Sequence, residues 1–150
     1  MKLSLKAKYG IMAALDLALH NGSSPVQTKS IARRQAIPAR FLEQVLNAMR
    51  KAGFVESLRG AQGGYLLTQR PADVSLAALV EALDGPLSPA PVLGLSARRV
   101  QRQLKPDVLL SQVWDRVREA ELGVLRGVTL KDLAESYRRL DQQGSLMYHI

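Results

Sequence analysis

Apolar and polar positions change their period repeatedly along this chain, and each change marks an element. Between residues 4 and 20, Ile11, Leu15, Ala18 and Leu19 recur at helical spacing, which predicts an amphipathic helix ending at Asn21-Gly22. A short helix is expected from Thr28, a residue suited to capping, to Gln35. Ala36-Ile37-Pro38 then forms a tight link to a third helix over 38–51, with Pro38 suited to its first position. In that helix Phe41, Leu42, Val45, Leu46 and Met49 make one apolar face, while Arg40, Glu43, Gln44 and Asn47 fall at i, i+3, i+4 and i+7 on the opposite one. Gly53 supplies the stop.

The period then shortens. FVESLR and YLLT read as two short strands joined by GAQGG, a glycine-rich hairpin loop. Further on, SLAALVEALDG (75–85) predicts a helix capped by Ser75 and stopped by Gly85, and PLSPAPVLG after it is too rich in proline to be regular. Over 107–126, Leu110, Val113, Val117, Ala120 and Val124 alternate in steps of three and four, the stripe of a helix-pair seam; burial inside the monomer would produce the same stripe. A last helix is expected from Thr129 through Leu133 and Tyr137 to Leu140, followed by a frayed tail.

Helix, helix, tight turn, helix, hairpin is the order of a winged helix-turn-helix, so the expected class is mainly α with a small β-hairpin. The organisation that follows is a DNA-binding domain over 1–84, a loop or effector region over 85–106, and a dimerisation helix with a C-terminal helix over 107–150. Residues 54–68 are then the wing: Gly60, Gly63 and Gly64 let the backbone approach a surface closely, and Arg59 projects from its base. A nucleotide-binding reading of these glycines fails, because a P-loop needs a following Lys-Ser/Thr and a helix, and GGYLLT supplies neither.

Charge sharpens the picture once it is located. Residues 1–70 hold 11 Lys or Arg against 3 acids, whereas 71–150 hold 10 of each, so the whole excess lies in the half expected to meet a polyanion. No cysteine is present, which removes disulfides and thiolate nucleophiles. Lys2, Lys6 and Lys8 before GIMAALDLALH faintly imitate a secretory signal, but Asp16 interrupts the apolar run and no small-residue cleavage pattern follows. A cytoplasmic protein without membrane contact is expected. His20 near a helix end and His149 in the tail belong to no visible triad or metal cluster, and the carboxylates of 73–141 are interspersed with arginines as on solvated faces, so no enzymatic constellation emerges.

The stretches MKLSLKAKYGIMAALDLAL and SIARRQAIPARFLEQVLNAMRKAGFVESLRGAQGGYLL resemble the DNA-binding half of the bacterial Rrf-two regulators, the family that includes the IscR, NsrR and CymR types. The similarity extends more loosely to the C-terminus. It implies a homodimeric transcription factor, acting as a repressor or an activator on a palindromic operator in double-stranded DNA, and a glutamate, Glu43, that discriminates between bases. Two departures stand out: Ala36 where the family usually has a turn glycine, and Ala61-Gln62 where the wing tip is commonly Pro-Gly. Many members hold an iron-sulfur cluster on cysteines before and at the start of the long helix; this chain has Val108, Ser111 and Trp114 along the comparable Cys-x-x-His-x-x-Trp pattern, and cluster ligation is not expected of it.

The expected DNA contacts are therefore Arg40, Glu43, Gln44, Asn47 and Arg50 on a recognition helix in the major groove, Lys8, Arg33 and Arg34 on phosphates, and Tyr9, Thr28 and Tyr65 beside them. The wing adds Arg59, Gly60, Gly63 and Gly64 on backbone or minor groove, and the expected dimer seam is Leu110, Val113, Trp114, Val117, Ala120 and Val124. A small-molecule or protein effector is the expected signal, with no cofactor or metal. The competing reading is a winged-helix module for protein contacts whose basic half touches nucleic acid non-specifically.

Overall fold

The computed structural model describes residues 2–20, 22, 24–87 and 105–148. The order is α1 (Leu5–Leu19), α2 (Thr28–Gln35), α3 (Ala39–Lys51), β1 (Val55–Leu58), β2 (Gly64–Leu67), a 3-10 turn (Pro71–Asp73), α4 (Leu76–Asp84), α5 (Lys105–Gly127) and α6 (Leu130–Tyr148). This is the expected helical class with one antiparallel hairpin, in the register Val55 to Leu67 and Leu58 to Gly64. Most of the expected 85–106 region, residues 88–104, lies outside the described residues.

Helix α1 is the axle of the domain. Ser4 caps it by accepting from the Ala7 amide at 3.0 Å. Its buried face is made of Ala7, Gly10, Ala13, Ala14, Leu17 and Ala18, whereas Ile11 and Leu15, expected on that face, are only half-buried. Small residues let α3, α4 and α6 approach closely: a Cβ on Gly10 would stand 2.1 Å from Leu83 Cδ1 of α4. Around α1 gather Ile31, Leu42, Val45, Leu46 and Met49 from α2 and α3, with Leu79 and Leu83 from α4. The α3 apolar face is thus buried as its period requires, apart from Phe41, which is half-buried.

Three boundaries differ from expectation. Thr28 is the first residue of α2, not its cap; Gln27 holds the cap position, and its side-chain amide donates to the Ala61 carbonyl of the wing at 3.4 Å rather than to the helix. Pro38 is likewise the cap of α3, which starts at Ala39. No frayed tail begins after Leu140, because α6 runs on to Tyr148: Gly144 costs only about 1 kcal/mol in a helix interior, and no proline interrupts the segment. The start of α6 is fixed by a reciprocal cap in which Thr129 N donates to Asp132 Oδ2 at 2.9 Å and Asp132 N to Thr129 Oγ1 at 3.2 Å. Backbone bonds from Leu76 N to Val128 O and from Leu130 N to Val74 O, both 2.9 Å, tie this corner to the start of α4, and Leu130 is fully buried.

Candidate nucleic-acid interface

Between α2 and α3 the chain turns through Ala36 in the left-handed region, φ 51° and ψ 41°, and Ile37 N bonds back to Ala32 O at 3.0 Å. The glycine-type turn is therefore kept although the residue is alanine. Ile37 anchors it by burial. The turn aims α3 outward, with Arg40, Glu43 and Gln44 exposed and Asn47 half-exposed. Arg50 donates to Asn47 Oδ1 at 3.0 Å, so these two act together.

Tyr65 of β2 joins this face to the wing. It lines a hollow of about 590 Å³ with Arg40, Glu43, Gln44 and Asn47, and a second hollow of about 500 Å³ with Thr28, Lys29, Arg59 and the loop glycines. The hairpin is held there by two bonds with the segment before α2, Val26 N to Tyr65 O and Tyr65 N to Val26 O, each 2.9 Å. That bridge explains the second glycine of the pair. A Cβ on Gly64 would lie 2.3 Å from the Val26 carbonyl oxygen, and one on Gly63 would lie 2.3 Å from the Leu58 carbonyl oxygen, so the loop closes only without side chains. Gly60, at φ 111°, needs glycine for its backbone conformation instead.

Lys8, Arg33 and Arg59 are exposed, and Tyr9 packs edge-on against Phe41 with ring centroids 5.2 Å apart. Tyr9 thus braces α3 against α1. Arg34, expected to meet phosphate, spends part of its guanidinium inside the domain. Its Nε and Nη2 donate to the two oxygens of Asp16 at 2.9 and 2.7 Å, and Gln35 Nε2 adds a third bond at 2.9 Å. Asp16 is fully buried, and His20 Nδ1 stands 3.7 Å from its carboxylate. Burial alone would raise the Asp16 pKa, but the hydrogen bonds from Arg34 and Gln35 and the charges of Arg34 and His20 outweigh it and hold it below its usual value. This clasp was invisible to periodicity. Its only trace in the sequence is an acid inside an apolar stretch of a basic half. Lys29, beside Thr28 at the wing, is a second residue that helical patterning did not single out.

On α5, Leu110, Val113, Trp114, Val117 and Val124 are 46 to 66 % exposed, and Ala120 is exposed as well. The stripe is not buried within the monomer. Leu122, on another side of the helix, takes the burial instead.

A family model described as "Rrf2: Iron-dependent Transcriptional regulator" matches residues 3–136. The chain belongs to the Rrf2 family. Among relatives of known name, it is 36% identical over 148 residues to the HTH-type transcriptional regulator CymR of Bacillus subtilis, covering 99% of both chains. It is 31% identical over 149 residues to the regulator IscR of Klebsiella pneumoniae, covering 99% of this chain and 89% of that one. Among solved structures, that of CymR, the global cysteine regulator of B. subtilis, gives a TM-score of 0.76 over 91% of this chain and 98% of that one at 36% identity. T. potens IscR gives 0.71 over 91% and 88% at 35% identity. An Rrf2 chain of this likeness is a DNA-binding transcriptional regulator with a winged-helix fold, in a family of regulators rather than enzymes.

The iron in the family description meets no thiolate here. The sequence has no cysteine, so the thiolates that hold iron-sulfur clusters are missing, and neither Val108 nor Ser111 replaces them. Among the described residues no group of three His, Cys, Asp or Glu is placed to hold a metal ion, and no helix is long and apolar enough to cross a membrane.

Proposed function

We propose that this Rrf2 protein acts in the cytoplasm as a homodimer that recognises a palindromic operator, with α3 in the major groove and the wing on the backbone or the adjacent minor groove. The observation that carries the reading is the continuity of one polar face across two elements: Arg40, Glu43, Gln44 and Asn47 of α3 share a hollow with Tyr65 of the hairpin. Base edges in a major groove present donors and acceptors that such amide, guanidinium and carboxylate groups match. Lys8, Lys29, Arg33 and Arg59 flank that face and suit phosphates.

The exposed α5 seam supports the dimer, since a row of large apolar side chains in water is costly and a second copy of the same stripe covers it. A dimer also matches a two-fold operator. Regulation by a thiolate-held cluster is not open to this chain, which leaves a small molecule in the region of residues 85–110, a partner protein or a ligand brought by other donors. Selection from random duplexes followed by binding titrations at several salt concentrations tests the reading. With about four phosphate contacts per protomer, log affinity against log salt should fall with a slope of about −7 for the dimer. Salt dependence without sequence preference would leave only a non-specific binder. A monomer by light scattering would remove the dimer.

A further inference from the structure

A cleft of about 380 Å³ lies on the other side of the clasp, where the C-terminal end of α1, the end of α2 and the middle of α6 meet. Its volume falls within the range of small-molecule sites, roughly 300–1,000 Å³. Its chemistry is mixed in sign in a specific way. Arg34 commits Nε and Nη2 to Asp16 and leaves Nη1 uncommitted. His20 spends Nδ1 on the Asp16 backbone carbonyl at 2.8 Å and keeps Nε2. From α6 come Tyr137, Arg138 and Asp141, spaced at i, i+1 and i+4 and so on adjoining faces of one helix. Neither Arg138 nor Asp141 has an ion-pair partner among the described residues, although each lines the same cleft.

The Asp16 carboxylate already accepts three hydrogen bonds from Arg34 and Gln35, so what is left for a guest is Nη1 of Arg34 on α2, the Arg138 guanidinium on α6 and one unpaired carboxylate, Asp141. A plain anion would use the first set and be repelled by the second. A plain amine would do the reverse. We infer that this cleft binds a small α-amino acid, its carboxylate between Arg34 and Arg138 and its ammonium toward Asp141, with Leu19 and the Tyr137 ring as the apolar wall. Such a guest bridges α2 to α6. It would therefore couple the C-terminal helix to the turn that aims α3, and by linkage DNA and amino acid would alter each other's affinity by the same factor.

The binding claim is independent of the DNA reading; only the coupling rests on it. The test uses the full chain and three small probes, L-alanine, propionate and ethylamine, followed by backbone amide shifts at residues 16–20, 34–36 and 137–141 with chloride held constant. L-Alanine should bind detectably, on the order of millimolar for so few atoms, and more tightly than either probe that lacks one charge. Arg138→Gln should weaken L-alanine and propionate about tenfold or more. Asp141→Asn should weaken L-alanine while strengthening propionate, opposite signs that a loss of folding does not produce. Absence of shifts with L-alanine, or Asp141→Asn moving both probes the same way, overturns the site. If L-alanine binds but operator affinity is unchanged, the site stands and its coupling to DNA is refuted; if no operator is found at all, the binding result is unaffected.

Discussion

Removing the carboxylate of Asp16 is the sharpest test of how α2 is held. In Asp16→Ala the Arg34 guanidinium loses two hydrogen bonds, at 2.9 and 2.7 Å, and Gln35 loses one at 2.9 Å. Breaking one partner of a buried ion pair typically costs about 3–5 kcal/mol. Here the Arg34 side chain is 35 % exposed and regains water once released, so the cost should be lower, about 2–3 kcal/mol. In urea, with a slope of roughly 1.5–2 kcal/mol/M, the midpoint should fall by about 1–2 M at equal protein concentration. The pH arm has a definite sign. Because the folded-state pKa of Asp16 lies below its ordinary 3.8, the clasp contributes fully above that value and is lost as pH falls through the folded value. The gap between wild type and Asp16→Ala should therefore be constant at neutral pH and narrow on the acid side of 3.8. A midpoint at neutral pH indistinguishable from wild type, or a gap that acid leaves unchanged, refutes the clasp as a stabilising element.

Glu43→Ala should broaden the set of operators bound, with non-specific affinity equal or higher, because a carboxylate beside phosphates is repelled unless it accepts from a cytosine amino group; selection from random duplexes would detect it, and uniformly weaker binding with unchanged selectivity argues against it. Arg59→Ala should weaken operator binding by about 1–3 kcal/mol in a gel-shift titration with thermal unfolding unchanged. Gly64→Val should instead lower stability by about 3 kcal/mol, since its Cβ meets the Val26 carbonyl oxygen at 2.3 Å and the obstruction is backbone. Ala36→Gly should raise stability by up to about 1 kcal/mol in urea unfolding: it relieves a left-handed alanine worth about 1–2 kcal/mol, less the added freedom of the unfolded chain.

What the sequence disclosed depended on contrast. The two faces of α3 were legible because apolar and polar residues alternate sharply there, and the wing was legible because glycines cluster between two strand-like runs. Helix α1 offered little contrast, being apolar nearly all round; the larger Ile11 and Leu15 drew attention, while close packing against α3 and α4 selected the small residues Ala7, Gly10, Ala13 and Ala14. The length of α6 was missed: the expected helix stopped at Leu140, whereas the fold continues it through Gly144 to Tyr148. Single-chain periodicity could not decide between a buried and an exposed α5 stripe, since both give the same spacing; the exposure of Leu110, Val113, Val117 and Val124 in the folded chain separates them.

Asp16 was hidden for a different reason: its partner is 18 residues away, beyond any local period. The same pair corrects how charge should be read. Counting basic residues placed Arg34 among the phosphate contacts, yet Arg34 and Asp16 neutralise each other inside the domain. Removing one cation and one acid together leaves the excess of the first 70 residues unchanged, so the attraction of this half for a polyanion survives intact. What the pair limits is how fully Arg34 can displace counterions at the surface, and the number of cations that do so sets the salt slope. Net charge thus points to a polyanionic partner without saying which cations meet it. Arg34 also holds α2 against α1, two residues before the turn at Ala36 that sets the direction of α3.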